Sequence, residues 1–529
     1  MEGNQAIASR PDAQVWLSAS AGAGKTQVLT ARVLRLLLNG ADPESILCLT
    51  FTKAGAAEMA DRVHERLGAW VTLPLTDLRK DLFNLCERHL DYEQIASARQ
   101  LFAKVLDARG GGLRIQTIHS FAQTLLAAFP TEASLPVGFR PIEGREEGQL
   151  QNEALADLVA QAEQEGRAGV LDRMQFLART LGEEATRNLL KRCAYAPDVM
   201  EDLGPGAEAR VRRWLGLGDF DVQAKARADC ADAGFDLAEL QAIQNMFVSA
   251  PGPRLQGLGQ RITDWRARDV AERMASLGDL LKAWSNDEGV VRENSGWIPK
   301  NADYLDLIRP IHAHFLQLRE LLRLDDTARR LSAALLLGQD YARAYADAKR
   351  AAGAVDFNDM IRATVRLLQQ PGIGDWIRYK LDQSVDHILV DEAQDTNAAQ
   401  WDIVKALTEE FFAGAGAKAD RMRTVFAVGD FKQAIFGFQG TDPEQFEGAG
   451  GFFRDQVEAA ELEFQPLTIS QSFRSSQPIL DAVDAVIADL GHETMGLSVK
   501  PDLHKSARQG SGHVELFPFI HSDADAEGD

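Results

Sequence analysis

The sequence predicts an α/β protein whose parallel sheet is divided along the chain by a large helical insertion. Short apolar segments typical of buried strands stand at residues 15–20, 45–51, 387–390 and 424–430. Helical periodicity separates the first two, and a strand–helix–strand order favours parallel pairing. Between the second and third, residues 131–352 are rich in Ala, Leu, Arg and Glu with helical spacing almost throughout. Within this stretch, residues 249–259 carry Pro and Gly and predict a loop.

Composition disfavours several classes of protein. The chain has 529 residues, enough for several domains, and its 45% hydrophobic content is ordinary for a globular protein. No apolar run is long enough to span a bilayer, and the first residues do not form a signal peptide. We therefore expect a cytoplasmic protein with no membrane partner. Four well-separated cysteines without a CxxC pair argue against a zinc, iron–sulfur or disulfide framework.

The net charge of −21 and the isoelectric point of about 5.0 bear on nucleic-acid binding. A protein that coats DNA through its overall charge is normally basic, so this composition argues against that mode. It is compatible with a narrow groove in which bases stack on aromatic rings.

A phosphate-binding loop is predicted between the first strand and the first long helix. Its glycines let backbone N–H groups approach phosphates, and the helix N-terminus favours their negative charge. Lys25 would reach the β- and γ-phosphates, and the Thr26 hydroxyl would hold Mg²⁺. Alanine stands at the first position, where the strict pattern has glycine. The loop comprises Ala19, Ser20, Ala21, Gly22, Ala23, Gly24, Lys25 and Thr26.

Two carboxylates follow the strand at 387–390. In parallel sheets, ligands bind at the carboxyl ends of the strands, so Asp391 and Glu392 are well placed. Asp391 would hold Mg²⁺, and Glu392 would orient and polarise the attacking water. An acidic pair is more often simply a solvated surface. The preceding buried strand and the separate phosphate loop favour the catalytic interpretation.

Two later segments carry further candidates. After the strand at 424–430, Gln433 could sense the γ-phosphate, while Phe436 and Phe438 could stack on bases or pack in the core. Further along, Arg474 is the residue type suited to transition-state charge on a phosphoryl group.

Six motifs in this order resemble those of superfamily-1A helicases of the UvrD/Rep/PcrA and RecB/AddA group. Several details are most similar to the AddA helicase subunits of bacterial double-strand-break repair, among them Gln5, residues 355–361 and the Phe438-Gln439-Gly440 triplet. The motifs are ASAGAGKT, LTFTKAGAAEM, QTIHSFAQ, VDEAQDTNAAQW, VGDFKQAIFGFQG and SQSFRSSQPIL.

The resemblance implies a RecA-like ATPase domain, called 1A, with a helical insertion, 1B, and the beginning of a second RecA-like domain, 2A. ATP and Mg²⁺ would bind in the cleft between the motor domains. The implied order is 1A in residues 1–70, 1B in 71–112, 1A in 113–130, 1B in 131–352, 1A in 353–445, 2A in 446–520, and an acidic, disordered tail in 521–529.

Roles for individual residues follow from the same resemblance. Gln5 would read the adenine, Phe473 would stack on it, and Arg474 would act as an arginine finger. Lys25, Thr26, Asp391, Glu392 and Gln433 would form the rest of the ATPase site. Contacts to single-stranded DNA would come from Thr50, Phe51, Thr52, His119, Phe436 and Phe438.

The implied activity is ATP-dependent 3′→5′ translocation on DNA during recombinational repair, beside an AddB-like nuclease subunit. The family's later motifs have no counterpart before Asp529, so we expect an N-terminal portion of such a motor. The alternative is a module that binds ATP and single-stranded DNA without motor activity. A phosphate-loop enzyme of another kind, such as a nucleotide kinase, does not account for the later motifs. The motifs do not distinguish DNA from RNA.

Overall fold

The computed structural model describes residues 3–108, 112–232, 237–286, 288–293, 296–412, 421–434, 437, 440–495 and 500–517. The chain divides into two compact units. We call residues 1–142 and 355–529 the sheet unit, and residues 143–354 the helical unit. Each has its own hydrophobic core.

Six parallel strands form the main sheet, in the order β3-β2-β6-β7-β1-β8. β6 and β7 are buried along their whole length, as expected of central strands covered on both faces. The predicted α/β class and parallel sheet are confirmed. The strands are β1 (Gln14–Ala19), β2 (Ile46–Thr50), β3 (Arg114–Thr117), β4 (Arg140–Pro141), β5 (Ala354–Val355), β6 (His387–Val390), β7 (Thr424–Gly429), β8 (Phe464–Ile469), β9 (Gln471–Ser476) and β10 (Lys505–Arg508).

Helices cover both faces of this sheet. On one face α2 to α5 enclose a core that includes Val28 and Trp70, and on the other α6 and α18 to α21 enclose Phe121 and Trp401. The helices of the sheet unit are α1 (Asn4–Ala8), α2 (Lys25–Leu38), α3 (Lys53–Thr72), α4 (Leu75–Cys86), α5 (Tyr92–Leu106), α6 (Ile118–Ala128), α18 (Phe357–Gln369), α19 (Ile373–Ser384), α20 (Ala398–Thr408), α21 (Pro443–Ala459) and α22 (Gln477–Leu490).

Local sequence determines where several of these helices begin. The side chain of Thr52 accepts a hydrogen bond from the backbone N–H of Gly55 and so caps α3. Asp91 with Gln94 forms a reciprocal capping box at the start of α5.

The helical unit is organised around one 48-residue helix, α17. Residues 249–259, predicted to be a loop, instead belong mostly to α14. The prediction fails because Gly259 allows a close helix contact: a Cβ there would lie 2.9 Å from Cγ2 of Val248. The helices are α7 (Gly144–Gln164), α8 (Ala168–Leu181), α9 (Glu183–Ala194), α10 (Pro197–Asp202), α11 (Ala207–Trp214), α12 (Val222–Cys230), α13 (Leu237–Val248), α14 (Pro253–Ala267), α15 (Val270–Ala275), α16 (Leu277–Leu281) and α17 (Tyr304–Ala351).

The compact units differ from the expected domain boundaries in two places. Residues 71–112, expected to begin 1B, form α4 and α5, which pack into the same core as α2 and α3. Residues 446–520, expected to begin 2A, contribute β8 to the main sheet, where it pairs with β1. Apolar packing and strand pairing assign both segments to the sheet unit. The expected tail at 521–529 lies outside the described residues.

A search of the described helices for a membrane-spanning segment found none of sufficient length and apolar character.

Candidate nucleotide site and nucleic-acid contacts

The predicted phosphate loop connects β1 to α2, as the sequence pattern requires. Gly22 and Gly24 have φ values of 74° and 82°, a left-handed conformation that glycine adopts without strain. Gly24 directly precedes the first turn of α2, in which Lys25 and Thr26 are the first two residues. Backbone N–H groups of that turn have no partner inside the helix, which is the arrangement that receives phosphates.

Lys25 and Glu392 are joined across the carboxyl edge of the sheet. The ammonium of Lys25 donates to Oε2 of Glu392 over 2.7 Å, and the Gln394 amide donates to the same oxygen over 2.9 Å. Glu392 follows Asp391 after β6 and has a φ of 49°, which is uncommon outside glycine. Burial alone would raise the pKa of Glu392, but Lys25 and Gln394 together lower it.

Two other carboxyl groups behave in the opposite way. Burial, followed by the charge of Glu392, raises the pKa of Asp391 to about 6. The same causes raise the pKa of Asp395 to about 6. These carboxylates are therefore short of positive charge, and a divalent cation beside Asp391 would stabilise its ionised form.

The segment after β7 lies beside the phosphate loop. The amide of Gln433 donates to Asp430, whose own backbone N–H donates to Oε1 of Gln394 over 2.9 Å. The next residue back, Lys432, donates from its ammonium to Oγ of Ser20 over 2.8 Å. The Asp391–Asp395 and Asp430–Gln433 segments are thus linked by hydrogen bonds.

Residues 472–474 contact the phosphate loop directly. The backbone N–H of Phe473 donates to the carbonyl of Gly22 over 2.9 Å, and Oγ of Ser472 donates to the carbonyl of Ala21 over 3.1 Å. A Cβ placed on Gly22 would lie 2.6 Å from Cβ of Arg474. The aromatic side chain of Phe473 is 53% exposed and so available to a ligand.

Gln5 is also close to the loop. Its amide nitrogen donates to the carbonyl of Ala23 over 3.1 Å and lies 3.5 Å from the position a Cβ on Gly24 would occupy. The structure therefore brings together Gln5, the phosphate loop, the carboxylates after β6, Gln433 and the backbone at Phe473 and Arg474.

The predicted nucleic-acid contacts lie at the carboxyl ends of two other strands. Residues 50–52 end β2, and His119 lies two residues beyond β3, the neighbouring strand. Thr50 is buried and donates to the carbonyl of Thr52 over 3.0 Å. The His119 ring packs 4.9 Å from the Phe357 ring, and burial lowers its pKa. Phe51 is half-buried, whereas Phe436 and Phe438 lie outside the described residues.

Comparison with known families assigns the chain. Residues 1–453 match the family described as the UvrD/REP helicase N-terminal domain. The chain belongs to this family. Among curated proteins it is 26% identical to AddA, the ATP-dependent helicase/nuclease subunit of that name from Bacillus pumilus, over 540 residues, which cover 95% of this chain and 40% of that protein. It is 22% identical to the protein of the same name from Streptococcus pyogenes serotype M4 over 536 residues, covering 96% and 39%. The chain thus spans about two-fifths of these relatives.

Within this UvrD/REP-type site, sequence reasoning missed two arginines. Arg32, in α2, is completely buried and donates to the carbonyls of Ala8, Arg10 and Ala13. Arg35, one turn later, donates to the carbonyl of Ala6 over 3.3 Å. Together they fasten the Gln5 segment to the helix that follows the phosphate loop. Arginine on the apolar face of α2 was the available signal, because a buried guanidinium requires several acceptors.

The residues of this UvrD/REP-type site fit a nucleotide triphosphate with a divalent cation. The loop glycines leave room for phosphates, and Lys25 supplies positive charge. Among the described residues, no group of three or more His, Cys, Asp or Glu side chains could hold a metal ion. A cation here would therefore take most of its oxygens from phosphate and water, as Mg²⁺ commonly does.

Proposed function

We propose that this chain is the ATP-hydrolysing part of a DNA helicase or translocase that moves 3′→5′ during double-strand-break repair. The single observation that carries the proposal is the convergence of Lys25 and Glu392 on one edge of a parallel sheet. Family membership and the names of the relatives supply the helicase assignment. Because the chain spans only two-fifths of those relatives, its activity, substrate and partners are all part of the proposal.

In the proposed reaction, backbone N–H groups of the loop and Lys25 bind the phosphates of ATP, and Gln5 and Phe473 contact the base. Thr26 and Asp391 hold Mg²⁺, which neutralises charge on the transferring phosphoryl group. Glu392 leaves Lys25 and polarises the attacking water. Gln433 and Arg474 contact the γ-phosphate.

The substrate would be single-stranded DNA beside a duplex. Thr50, Phe51, Thr52 and His119 would contact the strand, together with Phe436 and Phe438. The relatives are named as subunits of a helicase/nuclease, so we propose an AddB-like nuclease partner and action in the cytoplasm, where bacterial DNA is repaired.

A second candidate is a module that binds ATP and single-stranded DNA without moving. One observation favours it: both Lys25 and Gln394 occupy Oε2 of Glu392, so this carboxylate is held by protein groups instead of water. A motor must release it in each cycle, whereas a binding module need not.

The deciding experiment measures ATP turnover with and without single-stranded DNA, beside Glu392→Gln. The motor proposal expects turnover that rises with DNA and disappears in the variant. Polarity is then tested by displacement of streptavidin from oligonucleotides biotinylated at either end, with faster release expected from the 5′ end. ATP and DNA binding without turnover would support the second candidate, and absence of ATP binding would overturn both.

A further inference from the structure

A chain of polar contacts connects the phosphate loop to residues beyond the segment that matches the family. Its centre is Lys432, whose side chain is only 12% exposed. The ammonium lies 2.8 Å from Oγ of Ser20 and 2.9 Å from Nε2 of His504. His504 is itself buried, with Nδ1 against Oδ1 of Asp484 and its backbone N–H on the other oxygen of that carboxylate.

The direction of these hydrogen bonds follows from the donors available. A lysine ammonium has three N–H donors and no acceptor, so Nε2 of His504 must accept from Lys432. The imidazole proton then stands on Nδ1 and is donated to Asp484. The contacts form one ordered series, in which Asp484 fixes the tautomer of His504, His504 holds Lys432, and Lys432 holds Ser20.

The surrounding charges keep the ammonium in place. Burial lowers the pKa of Lys432, while the carboxylates of Asp430, Asp484 and Asp502 act against this change. Oδ1 of Asp430 lies 3.8 Å from the ammonium. Ser20, the second residue of the phosphate loop, is 3% exposed, and its backbone N–H donates to Ile469. The loop is therefore held at Ser20 from both its side chain and its backbone.

We propose that Lys432 is a positioning residue for the phosphate loop, and that Asp484 and His504 position Lys432 in turn. This inference rests on the proposed ATPase function and extends it. Lys432 shapes the loop in advance of nucleotide binding and adds a second positive charge beside Lys25. Nucleotide affinity thus depends on two residues beyond position 453, where the family match ends.

The test uses the full chain and two readouts. The first is hydrogen exchange of the backbone amides of residues 19–24 without nucleotide, and the second is the Kd for MgATP together with kcat. In Lys432→Met, loop exchange and Kd should each rise by about 10-fold, the size expected for losing a charged hydrogen bond. The kcat at saturating ATP should change much less, because Lys432 does not touch the reacting atoms.

Variants at His504 separate positioning from general damage. His504→Leu should move both readouts in the same direction as Lys432→Met. His504→Gln should restore near-wild-type values, because an amide can accept from Lys432 and donate to Asp484. Lys80→Met and His513→Leu, on the exposed surface, are the matched controls, and circular dichroism verifies folding.

Unchanged loop exchange in folded Lys432→Met would overturn the proposal, as would His504→Gln behaving like His504→Leu. If the wild-type chain fails to bind MgATP, the proposed function fails, but exchange at residues 19–24 still decides whether Lys432 positions the loop.

Discussion

The ammonium of Lys25 and the carboxylate of Glu392 form an ion pair at 2.7 Å, although 367 residues separate them along the chain. Lys25 begins α2 after β1, and Glu392 follows β6. The pairing neutralises both groups in the absence of ligand. A triphosphate would compete for Lys25, and this competition would free Glu392 for its proposed role on water.

Replacement of Glu392 by Gln should separate nucleotide binding from hydrolysis. We expect kcat to fall by about 10²- to 10⁴-fold, the usual contribution of a positioned general base. The Kd for ATP should not rise, because Lys25 loses a competing carboxylate. Rapid-quench turnover and fluorescent-nucleotide titration measure the two quantities, with Glu93→Gln, on an exposed helix surface, as control. Turnover within a few-fold of wild type would exclude Glu392 as the base.

Replacement of Gly22 by Ala should impair the site through two separate effects. The residue has a φ of +74°, and an added Cβ would lie 2.6 Å from Cβ of Arg474 and 3.1 Å from Oγ of Ser472. Gly40→Ala is the matched control, since Gly40 has a φ of +93° and no atom within 4 Å of its built Cβ. Gly40→Ala should lose about 1 kcal/mol of unfolding free energy.

The Gly22 variant should lose more stability than the Gly40 variant and should also bind ATP at least about 10-fold more weakly, the equivalent of about 1.4 kcal/mol. Chemical denaturation and equilibrium titration measure the two effects. Equal destabilisation with unchanged ATP affinity in both variants would show that residues 472–474 yield freely.

Replacement of Arg32 by Met should destabilise the chain by about 3 kcal/mol, because three carbonyls lose charged donors in a buried setting. The variant should also weaken discrimination of ATP from GTP, because Arg32 holds the segment that carries Gln5. Urea denaturation and competition binding test the two effects, and Arg62→Met, in an exposed ion pair, is the control. Retention of full ATP selectivity would show that Gln5 is positioned without Arg32.

Acid should destabilise the sheet through His387. Burial, followed by the charge of Arg32, lowers the pKa of His387 from 6.5 to about 4. The unfolded chain therefore binds the proton first as pH falls, so stability is complete above about 6.5 and is lost progressively down to about 4. The loss approaches about 3 kcal/mol.

The raised pKa values of Asp391 and Asp395 act in the opposite sense over part of this range. The measurement is therefore the difference in unfolding free energy between wild type and His387→Asn across pH 4 to 7. Asn can still bond to Thr424 but does not titrate. Parallel pH profiles for the two proteins would contradict the assignment.

Much of the site was determined by local sequence. The phosphate loop, the carboxylates of Asp391 and Glu392, and the position of Gln433 each follow an apolar strand, and parallel strands carry their carboxyl ends to one edge of a sheet. Strand periodicity and turn residues act over a few neighbours, so a pattern in the chain suffices to predict them. The roles of individual residues in that site remain predictions.

Tertiary structure decided the contacts made by single polar groups across long separations in the chain. Nothing near Lys432 in the sequence indicates that it meets Ser20, 412 residues away, or that Arg32 closes on the segment of Gln5. The same holds for β8, which pairs with β1, and for the helix that includes Gly259. Such contacts depend on which buried donors and acceptors, strand edges and helix surfaces meet after the core has packed, and this information is distributed over the whole chain.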